Sequence, residues 1–397
     1  MRPDDLYSSP NALAGAYARF RVADRLLLTG HSHQAWPDCG LAAQQQAWLD
    51  AAEFVDDKWP LAFAKAEEVR NGYRRLLNDP DGDIALDQNT LDLVVRFVSA
   101  LPLRTRPRLV STSGEFHTIR RLLDRLAEEG IEIDHVSASP VETLAARLAE
   151  AVDSRTAAVL SSSVLYQTGQ IVPGLPDVAA ACAKHGAELL IDAYHHLNVA
   201  PFRMAGLEQA YVVGGGYKYC QLGEGACFLR LPKGCTLRPM TTGWFTEFDV
   251  LAAPTAGRVA YGRGGMRFAG ATFDPTSYYR AAAVFAFFQE QCLSPDFLRT
   301  VSQHQIGLLA ERFDALDLDE AQVRRDRMTP LTGVAGFLVL WSNHAGELSK
   351  RLKAEGVWTD HRGVALRLGP APYLSDAQLI EAMARLGRVW KMLTLDA

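Results

Sequence analysis

The strongest constraint on the fold is an alternation of short apolar runs with amphipathic segments in the middle of the chain. Apolar runs at residues 108–112, 131–136 and 156–164 are rich in Val, Ile and Leu, which is typical of strands buried on both faces of a sheet. Between residues 117 and 129, apolar side chains recur at helical spacing, and Gly130 is a typical helix stop. Strands and helices that alternate in this way form right-handed βαβ units. The sequence therefore predicts an α/β fold with a mostly parallel sheet.

The two ends of the chain follow different patterns. Residues 1–25 are predicted to be an irregular or helical arm, and residues 233–273 show no regular periodicity. A long apolar helix is expected to begin near Pro275. Beyond residue 296, the predicted elements are strands at 334–341 and 364–368 and helices at 345–355 and 375–394. We therefore predict three units: an arm at 1–45 that packs with the small domain, a large domain at 46–275, and a small α+β domain at 276–397.

Charge and composition narrow the classes of partner. The formal net charge of -5 gives no reason to expect nucleic acid or an anionic membrane as a partner. A run of about 18 apolar residues is absent, and the N-terminus lacks the basic and apolar parts of a signal peptide. Six cysteines without a CxxC pair are typical of reduced thiols. We therefore expect a cytoplasmic protein.

An acid and a lysine follow two neighbouring apolar runs. Asp192 closes the run at residues 189–191, and Lys218 follows the run at 211–213 and three glycines. Parallel sheets bind ligands beyond the carboxyl ends of their strands, where both residues are expected to lie. A pyridoxal 5'-phosphate (PLP) site requires such a pair, because the lysine forms a Schiff base and the acid keeps the pyridine nitrogen protonated. Taken alone, the pair is also compatible with ordinary strand ends.

Two polar loops admit more than one interpretation. Asn89 and Thr90 open a predicted helix, where they can contact a phosphate group or simply cap the helix. His31 and His33 flank Ser32 on a loop, a spacing that suggests a metal ligand pair. A third ligand is not found nearby in the sequence, so a polar loop near a ligand or at the surface is the better interpretation. We therefore predict no metal site.

Seven segments, taken in order, resemble kynureninase, a PLP-dependent enzyme of fold type I in the class V aminotransferase group. They are an Asp-led turn at 87–92, Phe116, 166–170, 192–195 with Asn198, 217–219, 243–245, and the C-terminal stretch 359–373. The last segment is the most specific, because it is similar to the family pattern D-x-R … R-x-x-P-x-P-x-Y. The resemblance runs from about residue 83 to 375 and implies a seven-stranded sheet in the large domain.

The resemblance implies a role in cofactor binding for each matched residue. Lys218 would hold PLP as a Schiff base, Asp192 would pair with the pyridinium nitrogen, and His195 would lie beside the ring substituents. Phe116 would stack on the ring face, and Tyr217 matches a residue that acts as an acid or base. The remaining implied cofactor contacts are Asn89, Thr90, Thr168 and Tyr217, together with Trp244 and Thr272 from the partner subunit of a homodimer.

The resemblance also implies contacts with a small amino acid substrate. Arg367 would clamp the α-carboxylate as a bidentate fork, which a lysine cannot do equally well. His31 and Ser32 match positions near the substrate.

The chain departs from the family pattern mainly in the pocket for the substrate side chain. Ile119 stands where the family has a carboxylate, Gly216 replaces a serine, and residues 246–248 replace Gly-His-Glu. Residues 30–33 stand where the family has Gly-Asn-Ser-Leu. The family segment that contacts the aromatic ring of kynurenine has no clear counterpart at 51–60. The departures therefore concern the substrate more than the cofactor.

Three functions remain open on this sequence. The first is kynureninase-like hydrolysis of the Cβ–Cγ bond of an aryl-keto amino acid, which yields alanine and an aryl carboxylate. The second is another PLP reaction on a different amino acid, by an aminotransferase, a β-lyase or a decarboxylase. The third is a non-catalytic PLP-binding dimer, which the presence of both Lys218 and Arg367 disfavours.

Two further classes are disfavoured on specific residues. A cysteine desulfurase needs a nucleophilic cysteine in its small domain, and the sequence contains no cysteine after Cys292. A metal hydrolase that uses Asp192 with His195 and His196 is disfavoured because adjacent side chains of an extended segment point to opposite sides.

Overall fold

The computed structural model describes residues 1–251 and 257–395. Its strands are β1 (Leu26–Leu27), β2 (Asp83–Asp87), β3 (Arg108–Thr112), β4 (Glu132–Val136), β5 (Thr156–Ser162), β6 (Glu188–Asp192), β7 (Tyr211–Gly215), β8 (Cys227–Leu231), β9 (Arg324–Arg325), β10 (Leu338–Trp341), β11 (Val357–Trp358), β12 (Asp360–Arg362) and β13 (Ala365–Leu368). Its α-helices are α1 (Asp4–Tyr7), α2 (Cys39–Phe54), α3 (Trp59–Leu77), α4 (Thr90–Ser99), α5 (His117–Glu128), α6 (Leu144–Ala151), α7 (Leu175–His185), α8 (Thr276–Glu290), α9 (Pro295–Asp314), α10 (Ala345–Ala354) and α11 (Asp376–Leu395).

Seven strands form the large sheet, in the order β2-β8-β7-β6-β5-β3-β4. The neighbouring pairs from β7 to β4 are parallel, whereas β8 is antiparallel to both of its neighbours. Helices α5, α6 and α7 connect β3, β4, β5 and β6 in turn. The predicted α/β fold with a mostly parallel, seven-stranded sheet is therefore confirmed.

Both faces of this sheet are buried. In β6, Leu189 and Ile191 pack into one core with side chains of α6 and α7, whereas Leu190 packs into the other core with side chains of α4 and α5. Each such side chain contributes about 1.5–3 kcal/mol when fully buried. Because neither face of the sheet contacts water, apolar residues follow one another along the middle of each strand and form continuous apolar runs in the sequence.

The N-terminal residues pair with the C-terminal part of the chain. β1 is parallel to β11, and the Leu28 N–H donates to the Trp358 carbonyl at 2.8 Å. The Gly30 N–H donates to the Gly369 carbonyl at 2.7 Å. A Cβ atom at Gly30 would lie 2.4 Å from the Pro370 carbonyl oxygen, so only glycine permits this close approach. The loop that carries His31 is thereby fixed next to β13.

The C-terminal sheet is antiparallel, in the order β12-β13-β10-β9. Strand β10 begins four residues later than the predicted strand at 334–341, because Leu331–Gly333 form a 3-10 turn and Gly336 lies against the ring of Tyr219. Strands of two or three residues, such as β9, β11 and β12, are too short for sequence periodicity to reveal.

Two more segments differ from the sequence prediction. The helical spacing of residues 41–58 predicts a helix up to residue 58, but α2 ends at Phe54, because Val55 has a positive φ of 49°. Residues 233–273, predicted to be irregular, contain the 3-10 segments Trp244–Val250 and Gly264–Phe268. Among the residues that the structure describes, no helix has both the length and the apolar character that crossing a bilayer requires.

Candidate functional site

A cavity of about 310 Å³ lies where β2, β3, β6 and β7 end, at the carboxyl edge of the parallel strands. This is the edge at which open α/β sheets bind ligands. The cavity brings together seven of the predicted site residues, which are Asn89, Thr90, Phe116, Asp192, His195, Tyr217 and Lys218.

Lys218 is buried in this cavity. Its Nζ atom lies 3.2 Å from Nε2 of His195. Burial lowers the pKa of Lys218 to about 7; the charge of Asp192 opposes this shift and that of Arg367 adds to it. The amine is therefore partly uncharged at neutral pH, which makes it a nucleophile and a base.

The backbone before Lys218 passes too close to its neighbours for most side chains. A Cβ atom at Gly215 would lie 2.4 Å from the Tyr194 hydroxyl, and one at Gly216 would lie 2.6 Å from Cβ of Leu222. These glycines allow the chain to turn sharply after β7 and to direct Lys218 into the cavity.

Three aromatic rings surround the amine. The Nζ atom of Lys218 lies 5.5 Å from the ring centre of Phe116, 5.2 Å from that of Tyr194 and 5.3 Å from that of Tyr217. Such distances permit cation–π attraction when the amine is charged. The rings also give the cavity flat apolar walls.

Asp192 is partly buried at the end of β6. Burial raises the pKa of its carboxyl group to about 6, against the hydrogen bond from the Tyr194 N–H, at 2.8 Å, and the charge of Lys218. A partly buried carboxylate with so few donors would be stabilised by a cationic ligand at the same place.

The N-terminus of α4 forms another wall. The side chain of Asn89 caps the helix, since its Oδ1 accepts the Asp92 N–H at 3.0 Å and its Nδ2 donates to Oδ2 of Asp92 at 2.8 Å. Asn89, Thr90 and Leu91 all line the cavity. The capping interpretation of Asn89 is thus observed, and the positive end of the helix dipole faces the same cavity.

Arg367 is buried behind the cavity and does not line it. Its Nε donates to Oδ1 of Asp360 at 2.9 Å, its Nη2 donates to Oδ2 at 2.5 Å, and its Nη1 donates to the Tyr166 carbonyl at 2.7 Å. A guanidinium group has five N–H donors, so two are left after these described contacts. Asp360 therefore already binds one edge of the guanidinium group that was expected to hold the substrate carboxylate.

His31 supports the same carboxylate from the N-terminal loop. Its Nε2 lies 2.8 Å from Oδ1 of Asp360, and its side chain is fully buried. Burial lowers the pKa of His31 to about 4, so its ring is neutral and donates from Nε2. Burial alone would raise the pKa of Asp360, but the hydrogen bonds from His31 and Arg367 hold it well below its usual value.

Four other predicted residues lie away from the cavity in this chain. Thr168 lines a separate small cavity with Phe337. Ser32 contacts Nδ1 of His33, whose ring stacks on Tyr217 at 4.7 Å.

Trp244 and Thr272 are also outside it. The Trp244 ring is 43% exposed and packs on Phe245 at 4.2 Å. Thr272 lines a second cavity of about 260 Å³, which also contains the ion pair of Asp87 and Arg96.

The two adjacent histidines do not form a metal site. His195 contacts Lys218, whereas Nε2 of His196 contacts the Pro201 carbonyl at 3.2 Å. Among the described residues, no group of three or more His, Cys, Asp or Glu side chains is placed to hold a metal ion.

Several residues of the site were not predicted as site residues. Gln88 and Tyr194 lie in the matched segments 87–92 and 192–195 and line the cavity, as do Glu224 and Cys227. Burial raises the pKa of Cys227 to about 12, so its thiol is protonated. Glu115 is buried beside the cavity. The one available signal was its position directly before Phe116.

Comparison with known proteins shows the fold. No family model and no curated protein matches the chain. Among solved structures, a C-DES mutant with glycine covalently linked to its PLP cofactor has a TM-score of 0.81 at 17% identity, covering 94% of this chain and 98% of that chain. The cystine C–S lyase C-DES with its product cysteine persulfide has a TM-score of 0.80 at 18% identity, covering 92% and 98%. The cysteine desulfurase CsdA from Escherichia coli has a TM-score of 0.76 at 15% identity, covering 99% of both chains. The predicted fold type I is thereby confirmed.

The ion pair of Asp360 and Arg367 generates a stability prediction. Asp360→Ala should lower the free energy of unfolding by roughly 3 kcal/mol, because it leaves a buried guanidinium group without its counter-charge. Urea unfolding followed by circular dichroism measures this change. Glu381→Ala, which removes a surface pair with Arg385, serves as the control and should unfold close to the parent midpoint. An Asp360→Ala midpoint equal to that of the control would contradict the prediction.

Proposed function

We propose that this protein is a PLP-dependent enzyme that acts on an amino acid and cleaves a bond at its β-carbon. The observation that carries the proposal is the buried, partly uncharged amine of Lys218, which faces Asp192 and three aromatic rings in one cavity. Burial disfavours the charge of a lysine, and a lysine with such a lowered pKa in a cavity is typical of a functional site.

The residues of the cavity fit the chemical groups of PLP. The Lys218 amine suits the aldehyde, the carboxylate of Asp192 suits the protonated pyridine nitrogen, and the N-terminus of α4 suits the phosphate. The rings of Phe116 and Tyr194 suit the faces of a flat heterocycle. Bound there, PLP would supply an electron sink for bonds at the α-carbon of an amino acid.

The protein's own side chains would then direct proton transfer. Lys218, with its lowered pKa, can take a proton from the α-carbon and return it. His195, which contacts Nζ of Lys218, would orient the amine. Burial raises the pKa of Tyr217, so its phenol stays protonated and can donate a hydrogen bond to a leaving group.

Arg367 is the proposed anchor for the substrate carboxylate. Its two remaining N–H donors suit the two oxygens of a carboxylate, and Asp360 fixes the plane of the guanidinium group. Because Arg367 is only 2% exposed, we propose that side chains in front of it move when a substrate binds.

A β-lyase reaction is the preferred chemistry. The structural neighbours include a cystine C–S lyase, and β-elimination needs no second nucleophile from the protein. Cys227 is the thiol that lines the cavity, and its raised pKa makes it a poor nucleophile. A desulfurase reaction that uses a protein thiolate is therefore not favoured.

Kynureninase-like hydrolysis is the second candidate. It is favoured by one specific observation, the C-terminal pattern in which Asp360 and Arg367 are joined by two hydrogen bonds. Transamination by a class V aminotransferase would use the same Lys218 and Arg367.

The first experiment tests the cofactor. Purified protein should bind PLP and turn yellow, and borohydride reduction should fix one pyridoxyl phosphate group on Lys218. Lys218→Ala should lose the covalent link, whereas Lys184→Ala, at an exposed lysine, should keep it.

Because the pKa of Lys218 is about 7 and not 10.5, the rate of covalent uptake should rise about tenfold between pH 6 and pH 8 and then level off. A rate that keeps rising through about pH 9 would contradict the lowered pKa.

The second experiment separates the reactions. L-cystine and L-cysteine should give pyruvate and ammonia, because β-elimination yields these products and releases the β-substituent. L-kynurenine and 3-hydroxykynurenine, assayed for alanine, test the hydrolysis, and 2-oxo acids test transamination. Alanine without pyruvate would overturn the lyase assignment, and Lys218→Ala should form no product from any substrate.

We also propose a homodimer with shared active sites. Trp244 and Thr272 lie outside the cavity of their own chain. Exposed large apolar side chains occur nearby and on α2, namely Trp48, Leu49, Phe54, Trp244 and Phe248. A surface of this kind is typical of a buried interface.

Mixed subunits test the shared site. If Trp244 serves the partner's cavity, a hybrid of one Lys218→Ala subunit and one Trp244→Ala subunit contains one intact site. Covalent PLP uptake by the hybrid should then reach about half of the parent value. If Trp244 serves its own cavity, both sites of the hybrid are defective and binding stays at the level of the single variants.

A further inference from the structure

Glu115 is a buried acid without a described cationic partner. It is 2% exposed and lies in the turn between β3 and α5. Burying a carboxylate without a counter-charge is costly, and such groups persist where other donors hold them. The hydrogen-bond donors around Glu115 therefore indicate its role in the structure.

Three donors hold the two oxygens of Glu115. The Thr112 hydroxyl donates to Oε1 at 2.7 Å, the Ser162 N–H donates to Oε1 at 2.9 Å, and the Ser162 hydroxyl donates to Oε2 at 2.6 Å. The Thr112 hydroxyl also accepts the Gly114 N–H at 3.1 Å. Thr112 ends β3 and Ser162 ends β5, so Glu115 joins the ends of two neighbouring strands.

These contacts reach both sides of the candidate site. Ser162 is the register partner of Asp192 on β6. Phe116, the next residue after Glu115, caps α5 and places its ring 5.5 Å from Nζ of Lys218. Glu115 is therefore the link between the strand edge that carries Asp192 and the turn that carries Phe116.

The turn itself has little room to shift. A Cβ atom at Gly114 would lie 2.9 Å from Cβ of Ala138 and 3.0 Å from Cδ2 of Leu165. Burial raises the pKa of Glu115 to about 7, and the donors from Ser162 and Thr112 oppose that rise. When Oε2 is protonated, Oε1 still accepts from Thr112 and from the Ser162 N–H, and the Oε2 hydroxyl can donate to the Ser162 hydroxyl, so the link does not depend on the charge of Glu115.

We propose that Glu115 is a positioning residue of the PLP site, which fixes Phe116 relative to Asp192 by tying the β3–α5 turn to the end of β5. The inference rests on the proposed function. It assigns no contact between Glu115 and a ligand, because Glu115 acts through Phe116 and Asp192.

Glutamine distinguishes positioning from charge. In Glu115→Gln, the side-chain oxygen still accepts from Thr112 and Ser162, and the amide can donate to the Ser162 hydroxyl, so the link is kept without a full charge. In Glu115→Ala the link is lost. Glu188→Gln is the matched control, because Glu188 is a partly buried acid, also with a raised pKa, at the opposite end of β6.

The test measures PLP binding and the visible circular dichroism of the bound cofactor, which reports the asymmetry around its ring. Glu115→Ala should weaken PLP binding about tenfold and reduce the dichroic band. Glu115→Gln and Glu188→Gln should stay within about twofold of the parent. Thermal unfolding of each cofactor-free variant shows whether it is folded.

Each outcome decides the inference. If Glu115→Ala matches the parent in affinity and dichroism, or if Glu115→Gln loses as much as Glu115→Ala, positioning is overturned. If Glu115→Ala does not fold, Ser162→Ala replaces it, and a reduced dichroic band supports the inference whereas a parental band overturns it. A parent protein that takes up no PLP refutes the proposed function instead, which keeps the two failures distinct.

Discussion

Burial of the Lys218 amine is the constraint on which the rest of the site depends. A lysine inside a protein loses the solvation of its charge, and here its pKa falls to about 7. The cavity offers partial compensation through Asp192, His195 and the faces of aromatic rings. The result is an amine held between its charged and uncharged forms, which is the state that both nucleophilic attack and proton transfer require.

The need to offset a buried charge also explains the contacts of Arg367, Asp360 and His31. Arg367 would repel a charged Lys218, and Asp360 offsets its positive charge through two hydrogen bonds. His31 adds a neutral donor to that carboxylate, so the buried His31 and Arg367 and the partly buried Asp360 form one array. Removing one member leaves the others without partners, and the array is therefore expected to act as a unit.

The sequence predicted the sheet better than it predicted the site. The parallel strands are buried on both faces, so each gave a continuous apolar run that periodicity can detect, as in β3 and β6. The placement of Asp192 and Lys218 followed from the rule that ligands bind at strand ends. Glu115 bonds to Ser162, which is 47 positions away, and a contact at such a separation leaves no local pattern in the sequence. Asp360 and Arg367 both lie in the matched segment 359–373, but their pairing across β12 and β13 is a property of the folded sheet. Conversely, Thr168 belongs to a matched segment but lines a different cavity, because neighbours in sequence at a loop can face opposite sides.

The charges of the cavity have a direction that constrains how a ligand can lie in it. Among the described residues that line it, Lys218 is the cation, and the acids are Asp192 at the end of β6 and Glu224 near the rim. Another wall is formed by the N-terminus of α4, whose dipole corresponds to roughly half a positive charge. A ligand with a cationic ring nitrogen and an anionic group at its other end is attracted in one orientation and repelled in the reverse one. In that orientation a central carbonyl carbon can meet the amine of Lys218, so the arrangement that binds the cofactor would also select the atom that reacts.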